Sequence, residues 1–117
     1  MSYDLSLYRK GIKDREIKFY YDYEGNITFN VNAMLEEALG KRHFKNWNGL
    51  PADLWIDDLE KGIDYMKADP KRFKQFDSPN GWGTYDHTLP ALYALFRAVQ
   101  KYGDADGFEN VYLEVTN

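Results

Sequence analysis

Apolar residues recur at every second position near both ends of this chain and at every third or fourth position in between; this change of period limits the fold more than any other feature. In SYDLSLYRK, Tyr3, Leu5 and Leu7 fall on one face of an extended chain, and Asp4, Ser6 and Tyr8 fall on the other. In REIKFYYDY the alternation groups Ile17, Phe19, Tyr21 and Tyr23, and after Glu24-Gly25-Asn26 it resumes with Ile27, Phe29 and Val31. Gly11 permits a turn, and Gly25-Asn26 between two alternating runs is a hairpin signal, so the spacing predicts an antiparallel meander of three strands.

From Asn32 the period becomes helical. Asn32 suits an N-cap for AMLEEAL, with Met34, Leu35, Ala38 and Leu39 on one face and Gly40 at the end. KRHFKNWNGL has no period and reads as a loop. Pro51 then opens an amphipathic helix whose inner face is Trp55, Leu59, Gly62, Ile63 and Met66. Asp69-Pro70 reads as a cap and first residue of a short helical piece through Phe73 and Phe76. Leu89, Leu92, Tyr93, Phe96 and Val99 stripe a longer helix that ends near Gly103; after the turn DADG, Phe108, Val111, Leu113 and Val115 alternate as a last strand. The order β-β-β-α-α-α-β implies an α+β fold, a mostly antiparallel sheet of about four strands with helices on one face.

At 117 residues the chain fits one domain spanning residues 1–117. A start charged throughout is unlike a signal peptide, no stretch approaches the roughly 20 apolar residues of a membrane span, and no cysteine is present. These features place the expected compartment in the cytoplasm, with no membrane partner. The net charge of -4 argues against a long nucleic acid, whose affinity depends on clustered Lys and Arg. Ten Tyr, seven Phe and three Trp, 17% of the chain, supply more large rings than a core requires, and the surplus points to a surface that recognises something.

Several motifs, taken together, carry a resemblance: YDLSLY at the start, NITFNV leading into MLEEALG, a Gly-Leu loop entering a helix, and NGWGTYDHTLPAL before the long helix. With these the chain resembles a group of small uncharacterised proteins encoded by bacteriophages and prophages, over roughly residues 3 to 102. The resemblance implies a phage-related origin and a role in the contest with the host cell. It carries over no activity and no catalytic residue.

Two stretches hold the candidate binding residues. In SPNGWGTYDHTLP, Ser78 to Gly81 forms a turn and Thr84 serves as an N-cap, which leaves Tyr85, Asp86 and His87 beside a helix N-terminus where free N–H groups attract a phosphate or carboxylate. Pro90 would kink a helix begun at Thr84 and is harmless in one begun at Thr88. In KRHFKNWNG, the basic Lys41, Arg42, His43 and Lys45 surround Trp47; the favoured reading is a solvated loop with Phe44 and Trp47 anchored in the core, and the alternative is a mixture suited to a nucleotide. If the two loops converge, Trp47 and Trp82 bracket a planar ring, with Arg42, His43, Asn48, Thr84, Tyr85 and His87 around it.

No catalytic constellation is evident. Asp86 and His87 are adjacent, so on a helix they diverge by about 100 degrees, and no nucleophile is paired with a base. No metal site is expected: His43 and His87 are the only histidines, and DADGFEN lacks the length of a calcium loop. No cofactor is implied. The leading expectation is a non-enzymatic, phage-related protein that captures a small anionic ligand or a host protein. The alternative is an interaction or assembly module acting through KFYYDYEG, where Tyr20 points away from the core side of Phe19 and Tyr21 and would mark a homo-oligomer interface. The acidic face of Asp57, Asp58, Glu60 and Asp64 is a second surface for a basic partner. An enzyme acting on a nucleotide or glycan ranks third.

Overall fold

A computed structural model describes residues 1–10 and 17–117 of the chain. Strand β1 (Ser2–Lys10) is the centre of an antiparallel sheet: β4 (Val111–Thr116) pairs along one edge, while β2 (Ile17–Phe19) and β3 (Gly25–Thr28) share the other. The α+β class expected from the two periods is therefore the observed one. The turn expected at Gly11 lies outside the described residues.

The expected hairpin at Gly25-Asn26 is not formed. Tyr8 faces Phe19 and Leu5 faces Gly25, so three steps along β1 are matched by six along its neighbour. β2 and β3 are thus two halves of one edge strand interrupted by a wide bulge, which breaks the ladder and reverses which side chains face inward. The alternation predicted Ile17, Phe19, Tyr21 and Tyr23 on one side; instead Ile17, Phe19 and Tyr21 are exposed and Tyr23 is buried. Tyr20, expected to face outward, is half-buried against the core. Phe29 and Val31 belong to a 3-10 turn that leads from β3 into helix α1 (Asn32–Leu39).

Four further boundaries differ from those read in the sequence. Val31, not Asn32, is the residue before α1, which frees the Asn32 side chain for contacts described below. Pro51 opens a 3-10 turn, Ala52–Leu54, and helix α3 (Ile56–Ala68) starts after Trp55. Within the predicted loop, Phe44–Trp47 form a short helix, α2. Asp69 does cap helix α4 (Pro70–Lys74), its carboxylate accepting from the Arg72 N–H. Helix α5 (Tyr85–Asp106) runs through Gly103 and the predicted DADG turn, and it ends at Gly107, whose φ of +92° suits a residue without a side chain.

Helix α3 packs against both α1 and α5, and the three cover one face of the sheet. Tyr3, Leu5 and Leu7 from β1, with Val111 and Leu113 from β4, point into this layer and meet Met34, Leu35, Leu59, Met66, Leu92, Leu95 and Val99. The opposite row of β1, from Asp4 through Ser6 and Tyr8 to Lys10, lies on the face that no helix of the described residues covers. No helix of the described residues is long and apolar enough to cross a membrane.

Candidate functional site

The start of α5 is already supplied with an anion of its own. The Tyr85 N–H donates to the Asp77 carboxylate at 2.7 Å, so an internal carboxylate occupies the position where a phosphate was expected to dock. Thr84 precedes the helix but its hydroxyl makes no capping bond; it lies 3.1 Å from His87 Nδ1 instead. Pro90 sits inside the helix, so the start at Thr88 is not the one adopted. Tyr85 turns inward, its hydroxyl donating to the Met66 carbonyl at 2.9 Å.

Trp82 crowns the preceding loop and is 72% exposed. The loop beneath it is tied down: the Trp82 N–H donates to Asn80 Oδ1 at 2.9 Å, and Asn30 Nδ2 donates to the Trp82 carbonyl at 3.0 Å. Gly83, at φ +97°, passes so close to the 3-10 turn after β3 that a Cβ would fall 2.8 Å from side-chain carbons of Thr28 and Val31.

The second stretch acts as a strap over the opposite edge of the sheet. Gly49 N–H donates to the Leu113 carbonyl at 2.8 Å, Asn48 Oδ1 accepts from the Val115 N–H at 2.8 Å, and Pro51 bridges to Tyr112. β4 would otherwise present unpaired backbone groups, which are a template for foreign strands. Trp47 anchors the strap: its indole stacks on Trp55 with centroids 5.2 Å apart and planes 11° from parallel, and Trp55 Nε1 donates to the Leu50 carbonyl. Arg42 remains exposed.

His43 begins α2 and is 2% exposed. Its Nε2 lies 2.8 Å from Asn32 Oδ1, the atom that also accepts from the Tyr3 hydroxyl at 2.6 Å. Burial holds its pKa below the ordinary histidine value, which keeps the ring neutral and withdraws it from anion binding.

The two tryptophan loops therefore stand at opposite edges of the sheet, Trp47 beside β4 and Trp82 beside β3, and the indoles do not bracket a common space. Of the eight candidate residues, the structure brings together Thr84 with His87, and places Trp47 and Asn48 in one strap; Arg42, Trp82 and His87 reach solvent separately. Among the described residues no three His, Asp or Glu side chains gather as a metal site would need. Asp57, Asp58, Glu60 and Asp64 are exposed along α3, as its period implies.

Ile17 and Phe19, which the sequence reading placed on the core side, join Tyr8 on the uncovered face. Tyr8 stacks on Tyr112 with centroids 5.4 Å apart and meets Phe19 at 5.6 Å; Ile17, 53% exposed, and Phe19, 45% exposed, extend the patch. The Lys10 ammonium stands 6.0 Å over the Tyr112 ring. Burial raises the Tyr8 pKa, with Glu114 and Tyr112 adding to it, so the Tyr8 phenol stays neutral at ordinary pH. Beside it, Ile17 to Asp22 line an open hollow of about 850 Å³, and Tyr21 is 98% exposed at its rim. The signal for this patch was present in Tyr8, which the alternation of β1 already places opposite Leu5 and Leu7. Comparison with protein-family models, with curated proteins and with solved structures finds no match to this chain.

Proposed function

We propose that the protein is a non-enzymatic, phage-related interaction module that engages a host protein through the uncovered aromatic end of its sheet. The observation that carries this reading is the exposure of Ile17, Phe19 and Tyr21 beside the Tyr8–Tyr112 stack, on a face with no helix of the described residues over it. Clustered rings of this kind are the usual anchors of protein interfaces, because they bury large area at small loss of side-chain freedom. Lys10 is exposed and its ammonium stands over the Tyr112 ring, so the partner that fits has an apolar centre and an acidic group placed to meet Lys10. The phage connection rests on the motif resemblance alone. Capture of a small anion has the weaker support, since Asp77 fills the helix N-terminus and the two indoles stand apart.

The test begins with capture from a bacterial host lysate and proceeds to titration with the purified captured protein. Phe19→Asp is expected to weaken that binding by at least about tenfold, the scale of a buried anchor, and Trp82→Ala to leave it unchanged. Equal affinity for wild type and Phe19→Asp would overturn the assignment. A dose-dependent rise in melting temperature with nucleotides or sugar phosphates would transfer the function to ligand capture.

A further inference from the structure

The strap over β4 starts at a residue in an unfavourable state on two counts. His43 has φ +29°, and among the described residues it is the one non-glycine residue at positive φ. A β-carbon crowds the backbone there, and such strain persists only where surrounding contacts hold it. Its ring is buried, and Nδ1 has no hydrogen-bond partner among the described residues.

The hydrogen bonds fix the proton. Asn32 Oδ1 accepts from the Tyr3 hydroxyl and lies 2.8 Å from His43 Nε2, so Nε2 carries the hydrogen and Nδ1 the bare lone pair. The ring is edge-on to Tyr3 and to Phe44, with centroids 5.1 Å away in both cases. A second proton would place a charge and an unpaired N–H donor among these rings. The charged groups that face it are Glu36 from α1, which favours the proton, and Lys45 from α2, which opposes it; β1 contributes only the neutral Tyr3 hydroxyl. Glu36 is partly engaged already, accepting from Asn32 Nδ2 at 3.2 Å.

We propose that His43 is a proton-operated latch: neutral, it locks residues 43–51 over the edge of β4, and protonated, it leaves its pocket and loosens that cover. The residues immediately after it make the edge contacts. Trp47 stacks on Trp55, and Asn48 and Gly49 bond Val115 and Leu113, so displacement of His43 acts on these contacts, and on the Tyr3 side chain it faces, before it reaches the backbone ladders of β1, β2 and β3. Release also relieves the backbone strain at positive φ. The opened state presents the Leu113 carbonyl and the Val115 N–H as a free strand edge under mildly acidic conditions.

The experiment is amide hydrogen exchange followed by NMR between pH 7.5 and 5, with the His43 ring signals recorded alongside. Protection at Val115 and Gly49, corrected for intrinsic exchange, is expected to fall by up to about tenfold per pH unit as His43 titrates, while Tyr3 and Ile27 stay protected. His87→Ala, at the exposed histidine, should keep the transition, and His43→Phe should abolish it. Loss of protection at all amides together would overturn the latch, as would a transition that survives in His43→Phe. If His43→Phe fails to fold, the ring titration in His87→Ala decides: a midpoint that differs from the loss of Val115 protection removes the proposal.

Discussion

The rings of Tyr20 and Tyr102 stack face to face, centroids 3.8 Å apart and planes 8° from parallel, and each hydroxyl donates to an aspartate on the other's segment. Tyr20 reaches Asp106 Oδ2 at 2.7 Å, and Tyr102 reaches Asp22, which also holds the Lys101 ammonium. Arg9 completes the set with an ion pair to Asp106 at 3.4 Å. This reciprocal clamp pins the bulge between β2 and β3 to the end of α5, so the interruption that turns Ile17 and Phe19 outward is a fixed feature of the fold.

The clamp should be visible in the dependence of stability on pH. Hydrogen bonds from Lys101 and Tyr102 lower the Asp22 pKa from 3.8 to about 2, so its contribution is complete above 3.8 and is lost as pH falls toward 2. Burial, and then the bond to Asp22, raise Tyr102 from 10.0 to about 12, so its contribution is complete below pH 10 and is lost as pH rises toward 12. Melting curves should show that Asp22→Asn flattens the acid decline and Tyr102→Phe the alkaline one. Variants that run parallel to wild type at both ends would show that the clamp does not titrate.

The three tryptophans divide into two classes. Trp47 and Trp55 are stacked in the core, and Trp82 stands in solvent. Trp47→Ala removes a buried indole and the anchor of the strap, and is expected to destabilise the fold by about 3–5 kcal/mol; Trp82→Ala should fall within about 0.5 kcal/mol. Iodide should quench most of the accessible fluorescence in wild type and little of it in Trp82→Ala. Strong quenching in that variant would contradict the stacked pair.

Gly103 tests packing against propensity. In an open helix, alanine in place of glycine gains about 1 kcal/mol. Here the added methyl would fall 2.3 Å from Phe108 Cε1, because the chain folds back over α5 at that point. Gly103→Ala is therefore expected to destabilise by about 1–3 kcal/mol, the range for overpacking. In a Phe108→Ala background the same change should become neutral or favourable, and an unchanged penalty there would remove the explanation.

How far the sequence carried the fold depended on whether order was local. The alternation of Tyr3, Leu5 and Leu7 and the stripe from Trp55 to Met66 were read correctly because each face follows from spacing along one element. Asp69-Pro70 was read correctly for the same reason, since a cap acts within one turn. Tyr20 to Glu24 were misread because a bulge has no period: only the register against β1 reveals that three residues are inserted. The candidate site suffered in the same way. SPNGWGTYDHTLP does contain a helix entrance, but the carboxylate that fills it belongs to Asp77, just outside the quoted motif. KRHFKNWNG reads as a solvated loop anchored by Phe44 and Trp47, which are indeed buried, but no local pattern shows that its Asn48 and Gly49 bond to β4, more than sixty residues away in the chain.

The sequence by itself determined the class of fold and the identity of most core residues, because side-chain period and cap chemistry act over a few residues. Tertiary structure decided which aromatic rings are surface and which are core: Trp47 inside and Trp82 outside, Tyr20 clamped and Tyr21 free. The physical reason is that the two members of each pair have the same chemistry and similar neighbours in sequence. What separates them is a partner on another element, Trp55 eight residues on for Trp47 and Tyr102 at the far end of the chain for Tyr20, and the elements must pack before that partner arrives.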